Sequence, residues 1–179
     1  MAVSKSSLTA ESFVSVDQAT TFLLGAAKVM CVNHLSYWYL QYVDAVPEQV
    51  IWVATYDPAY MNYYMKHFTP VNDPVIATVM HDKYVDWAEW LPTDELAQEV
   101  EKIAPRYGIT KYGISIPIVA QKQDKVIFSS CISSNDSAWP EDRSRLARLI
   151  LPFAEEFHHR MTNLIVQEKT ETGVFRLFA

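Results

Sequence analysis

Val50-Ile51-Trp52-Val53-Ala54-Thr55-Tyr56 runs directly into Asp57-Pro58-Ala59-Tyr60-Met61-Asn62-Tyr63-Tyr64, and the junction between the two decides how the rest of the chain is read. The first half is β-branched and aromatic, as in a buried strand. Asp57-Pro58 stops it, because proline has no N–H for a sheet ladder while its fixed φ suits the first turn of a helix. A strand therefore hands over to a helix that ends near His67. Upstream, Ser36-Tyr37-Trp38-Tyr39-Leu40-Gln41-Tyr42-Val43 has the same strand composition, and the Asp44–Gln49 stretch with Pro47 reads as a hairpin loop.

Working outward, Asp17 is expected to cap a helix to about Val32, with Phe22, Leu23, Ala26, Val29 and Met30 at helical spacing. Asp73-Pro74 repeats the aspartate–proline device and starts a short helix to about Val79. A loop with Trp87 and Trp90 leads to a helix opened by Thr93-Asp94-Glu95, running toward Tyr107 with Gly108 as its C-cap. Strands follow over 113–119 and 126–132. Pro140-Glu141-Asp142 begins a long last helix striped with Leu146, Leu149, Ile150, Phe153, Phe157, Met161, Leu164 and Ile165, in which Pro152 should introduce a kink. A fifth short strand is not placed. The order predicts an α+β fold, an antiparallel sheet flanked by helices. Residues 1–16 read as a leader, 17–169 as one domain, and 170–179 as a tail or the start of a linker.

Of 179 residues half are hydrophobic and a fifth charged, with a net charge of −6, which suits a folded domain and argues against a nucleic-acid surface. No basic run, secretory h-region or membrane-length apolar stretch appears, so a cytoplasmic protein without membrane contact is expected. Cys31 and Cys131 are expected to be free buried thiols. Aromatic residues make up 13% of the chain, with ten tyrosines and five tryptophans, most of them between Tyr37 and Trp90. Such a group either forms an ordinary aromatic core or encloses an apolar ligand while keeping polar tips for it. Neither His158-His159, read as solvated, nor the other histidines have metal-ligand spacing. Ser129 and Cys131 lack a base motif, and Glu95, Glu99, Glu101 and Lys102 read as a solvated helix face.

Tyr56, Tyr60 and Tyr64 recur every four residues, which from Tyr60 onward places them on one helix face. Asp73 stands where an N-cap is wanted, a sufficient reason for it on chemistry alone. The ordered set Tyr56, Tyr64, Asp73-Pro74-Val75, Trp87, Gly108, Gly113, Pro117 and Ser129 resembles the autoinducer-binding domain of LuxR-type transcription factors, over roughly residues 17–168. One position departs: the family usually has Trp where this chain has Tyr60, and that indole donates to the lactone carbonyl of the signal.

The resemblance implies an α-β-α sandwich of PAS/GAF-like form, with helices on both faces of the sheet. It implies a quorum-sensing sensor that holds an N-acyl-homoserine lactone in a buried pocket, needs no cofactor or metal and performs no catalysis. In that role Asp73 accepts the amide N–H, Tyr56 and Tyr64 donate to the acyl carbonyl, and Ser129 assists from the sheet. Tyr60 replaces the indole donor, and Trp87 packs on the lactone ring. Trp52, Ile51, Val75 and Ile127 are candidates for the wall of the acyl tail, or plain core. A homodimer is implied, with DNA reached only through a C-terminal helix-turn-helix domain absent from these residues. The alternatives are a truncated relative that heterodimerises with and silences a full-length regulator, a sensor of a non-lactone signal, or a hydrolase using Ser129.

Overall fold

The computed structural model describes residues 12–43, 46–67, 73–79, 81, 84–90, 95–120 and 123–170. Most of the leader, Asp44-Ala45, Thr93-Asp94 and the tail from 171 lie outside the described residues. Helix α1 (Val16–Met30) is capped by Ser15 rather than Asp17. Ser15 Oγ accepts the Gln18 N–H at 3.1 Å while Gln18 Oε1 accepts the Val14 N–H at 2.8 Å, so serine and glutamine three apart satisfy two orphan donors. Asp17 falls in the first turn, where its charge suits the helix dipole. The helix ends on Cys31 in the left-handed region (φ 55°), with Val32 N–H returning to the Ala27 carbonyl at 3.0 Å. That cap leaves Cys31 exposed, against expectation, while Cys131 is buried; both thiols are free.

Five antiparallel strands form one sheet: β1 (His34–Val43), β2 (Val46–Ala54), β3 (Val85–Asp86), β4 (Gly113–Ile118) and β5 (Lys125–Cys131), in the order β2-β1-β5-β4-β3. β3 is the short strand left unplaced by the sequence; two residues carry no periodicity, and pairing with Ser115 and Ile114 defines it. Helices α2 (Pro58–His67), α3 (Pro74–Val79) and α4 (Glu95–Ile103) follow in the middle of the chain, α4 continuing into a 3₁₀ turn (Ala104–Tyr107) closed by Gly108 at φ 74°. Helix α5 (Trp139–Thr170) continues on both sides of Pro152.

Strand alternation divides the core into two layers, as expected of helices on both faces. Tyr37, Tyr39, Ile51, Val53, Ile114, Ile116 and Phe128 pack with Leu23 of α1 and Ile150, Phe157 and Met161 of α5. On the other face Trp38, Leu40, Val50, Ile127 and Cys131 pack with Tyr60, Met61 and Tyr64 of α2, Ile76 of α3 and Ala104. Ile51, open as tail wall or plain core, is core and belongs to the α1/α5 layer. His158 is not solvated: it is half-buried, and Tyr37 OH bonds its Nδ1 at 2.8 Å. Burial holds its pKa below the usual histidine value, which favours the neutral ring in this bond. Asp86, 7% exposed, fixes the start of α5 by accepting Trp139 Nε1–H at 3.0 Å and Arg143 at 2.6 Å. Among the described residues no helix is long and apolar enough to cross a membrane.

Candidate ligand-binding site

Between the second sheet face and α2, α3 and α4 lies a cavity of about 590 Å³, within the range of small-molecule sites. Tyr56, Tyr60, Tyr64, Asp73, Val75, Trp87 and Ser129 all line it. Trp52 and Ile127 share this layer but do not line the cavity. Trp38, on β1, pairs with Trp52 of β2 on one side and Ile127 of β5 on the other, and it is the residue of that row that lines the space.

The tyrosines form a continuous ridge. Tyr56 and Tyr60 rings lie 5.6 Å apart, Tyr60 and Tyr64 6.1 Å, and Tyr107 from the 3₁₀ turn meets Tyr60 at 5.5 Å. His34 ties the two sides of this end together. Its Nε2 lies 2.9 Å from the Tyr107 carbonyl, its Nδ1 3.3 Å from the Thr55 carbonyl, and its ring 5.2 Å from that of Tyr56.

Asp73 both caps and coordinates. Its Oδ1 accepts the Val75 and Ile76 N–H groups at 2.8 and 3.0 Å, while Oδ2 accepts the Tyr64 hydroxyl at 2.7 Å. A carboxylate has about four lone-pair sites, so three bonds leave one at Oδ2. Burial pushes the Asp73 pKa above the ordinary carboxylate value, opposed by Tyr64 and the two amides. Tyr64 has committed its proton to Asp73, so in this arrangement it positions the carboxylate instead of offering a donor to the cavity. Tyr56 OH and Ser36 Oγ lie 3.2 Å apart; one proton joins them and the other is left to face the cavity. Tyr60, 6% exposed, has no hydrogen-bond partner for its hydroxyl among the described residues. Burial and the Asp73 charge raise its pKa, which keeps it a donor.

A second polar line crosses the sheet floor. Trp87 Nε1–H donates to Ser115 Oγ at 2.9 Å, and Ser115 Oγ lies 2.8 Å from Ser129 Oγ. With Ser115 accepting from the indole and donating onward, the Ser129 proton is free to point into the cavity. Gly113 lets Trp87 lie this close, because a Cβ there would come within 2.2 Å of the indole ring. Sequence reasoning missed Trp38, Ser36 and Ser115. Ser115 was discoverable: in Gly113-Ile114-Ser115-Ile116-Pro117-Ile118 the small residues alternate with isoleucine, marking a face that other groups must fill.

The family description "Autoinducer binding domain" matches residues 15–161. The chain belongs to the autoinducer-binding domain family. An autoinducer-binding domain is, by that description, a domain that binds a signal. Solved structures share the fold. The N-acylhomoserine lactone dependent LuxR-family transcription factor CepR2 of Burkholderia cenocepacia superposes with a TM-score of 0.60 at 16% identity, over 88% of this chain and 89% of that one. Escherichia coli SdiA gives 0.56 at 17% identity, covering 86% of this chain and 63% of SdiA. SdiA in complex with octanoyl-rac-glycerol gives 0.52 at 16% identity, covering 86% and 62%. The chain thus spans somewhat under two thirds of those SdiA chains. No curated protein sequence matches significantly.

Proposed function

We propose that this domain senses an N-acyl-homoserine lactone or a close acylated relative and holds it without converting it. The observation that carries the reading is Asp73, whose remaining acceptor site adjoins a cavity also lined by the unpartnered Tyr60 hydroxyl. A buried amide needs both an acceptor and a donor, since leaving either side bare costs about 1–3 kcal/mol. Asp73 takes the amide N–H. The free proton of the Tyr56–Ser36 pair and that of Ser129 serve the acyl carbonyl, and Tyr60 serves the head group. Trp87 offers its ring face to the lactone, its indole N–H being held by Ser115. Val75, Ile76, Val100 and Ile109 supply apolar wall for an aliphatic tail, worth ~0.8 kcal/mol per buried CH₂. CepR2 is N-acylhomoserine lactone dependent, and SdiA accommodates octanoyl-rac-glycerol, so acyl ligands suit relatives of this fold.

A non-lactone acyl signal is the second reading, favoured by Tyr60 standing where the family's indole donor is usual. Homodimerisation and a cytoplasmic site of action belong to the same proposal. We assign DNA contact in such an assembly to a helix-turn-helix domain, not to this acidic sensor. Melting curves test the reading. At 100-fold excess over Kd a ligand adds ~2.7 kcal/mol of stability, a rise of roughly 5–10 °C for a domain of this size. Indifference to acyl-homoserine lactones and to monoacylglycerols alike would remove both readings.

A further inference from the structure

Trp38 is 4% exposed and lines the cavity from the middle of β1. Among the described residues its indole N–H has no acceptor. Nor is it sealed away, because Ser130 Oγ is the one fully enclosed side-chain polar atom there that lacks a partner. The Trp38 Nε1–H is therefore neither paired nor fully enclosed, on a residue that lines the cavity. The two other indole donors in well-defined bonds differ: Trp87 is engaged by Ser115 and Trp139 by Asp86.

Its place relative to Asp73 says which part of a ligand it meets. The Trp38 ring lies 5.9 Å from that of Tyr64, and Tyr64 holds the Asp73 carboxylate. Tyr60 meets Tyr64 from one helical turn away, at 6.1 Å. Tyr60 and Trp38 thus both pack against the residue that holds the amide acceptor. With the head group beside Tyr60, the Trp38 side faces the acyl chain.

We infer that Trp38 is a specificity-determining donor for an oxygen carried on the acyl chain near the amide, so that this domain favours signals oxidised at C3 over plain alkanoyl ones. The inference rests on the acyl-homoserine lactone reading above. An unsubstituted chain leaves the indole N–H unpaired against methylene groups, whereas a C3 carbonyl or hydroxyl accepts from it.

The test compares N-octanoyl- and N-(3-oxooctanoyl)-homoserine lactone by calorimetric titration of the full chain. Wild type should bind the 3-oxo compound about three- to ten-fold more tightly, the worth of one neutral hydrogen bond. Trp38→Phe should bring the two affinities together while still binding the unsubstituted lactone. A wild type that binds both equally, or a preference that survives in Trp38→Phe, overturns this inference and leaves the lactone reading standing. A wild type that binds neither overturns both. Should Trp38→Phe fail to fold, indole-¹⁵N-labelled wild type gives the same answer. The Trp38 cross-peak, assigned by its contacts to Trp52 and Ile127 across the sheet, should move downfield with the 3-oxo compound and stay in place with the other. Identical spectra overturn the proposal.

Discussion

Replacing Asp73 by Asn and by Ala separates its two tasks. Asn keeps a carbonyl oxygen where Oδ1 accepts Val75 and Ile76, so the cap survives. It puts an NH₂ where Oδ2 now stands. Tyr64 can turn from donor to acceptor, but a ligand amide N–H would meet another donor. Asp73→Asn should therefore cost little stability, ~1 kcal/mol or less, since it also removes a buried charge whose pKa burial already raises. Ligand affinity should fall roughly 10- to 150-fold, the ~1.5–3 kcal/mol of a hydrogen bond to a charged group. Asp73→Ala loses the cap, ~0.5–2 kcal/mol, and strands the Tyr64 hydroxyl, a further ~1–3 kcal/mol. It should be destabilised by about 1.5–5 kcal/mol and bind no better than Asn. Urea unfolding gives the stabilities and calorimetry the affinities. Affinity of the wild type should also drop as pH falls through the raised Asp73 pKa, because a protonated carboxyl loses an acceptor. An Asn variant that binds as tightly as wild type would refute the reasoning and leave Asp73 a helix cap alone.

Tyr60→Phe removes one neutral hydrogen bond and should weaken binding by ~1 kcal/mol, about five-fold by titration; unchanged affinity would leave Tyr60 as packing only. Gly113→Ala drives a methyl group into the Trp87 ring, so it should lower Tm and ligand affinity together, and near-wild-type melting would contradict the close approach. For His158 the folded pKa lies below the unfolded value of about 6.5, so its contribution is present above pH 6.5 and lost as pH falls through the folded pKa. Tm should fall from pH 7 to pH 5 more steeply in wild type than in His158→Gln, and parallel curves would contradict the assignment.

Helix starts were readable because their chemistry is local. Asp57-Pro58 and Asp73-Pro74 announce α2 and α3, and Gly108 ends the 3₁₀ turn in the left-handed region as expected. Strand faces were not readable where both are buried. Tyr37-Trp38-Tyr39 is aromatic throughout, so nothing in the sequence says that Trp38 turns to the cavity and its neighbours to α5. The same loss of alternation left Ile51 open between tail wall and plain core, and the fold makes it core. Asp17 displaced Ser15 as the expected cap because both are good cap residues, and the Gln18 partner decides between them. Tyr56, Tyr64, Asp73 and Ser129, expected around a ligand, line the cavity, but their mutual bonds are tertiary facts. Only the folded chain shows that Tyr64 spends its proton on Asp73, or that Trp87 reaches Ser129 through Ser115.

Whether this domain holds an intact acylated signal is tested most directly by mass spectrometry of what the purified protein carries. The chain is expressed with and without added acyl-homoserine lactones, then extracted with solvent after purification. The account predicts one intact acyl-homoserine lactone, or a close acylated relative, per chain when the signal is supplied. Protein that folds equally well in both preparations and yields no acyl compound, or only the hydrolysed acid, would contradict it.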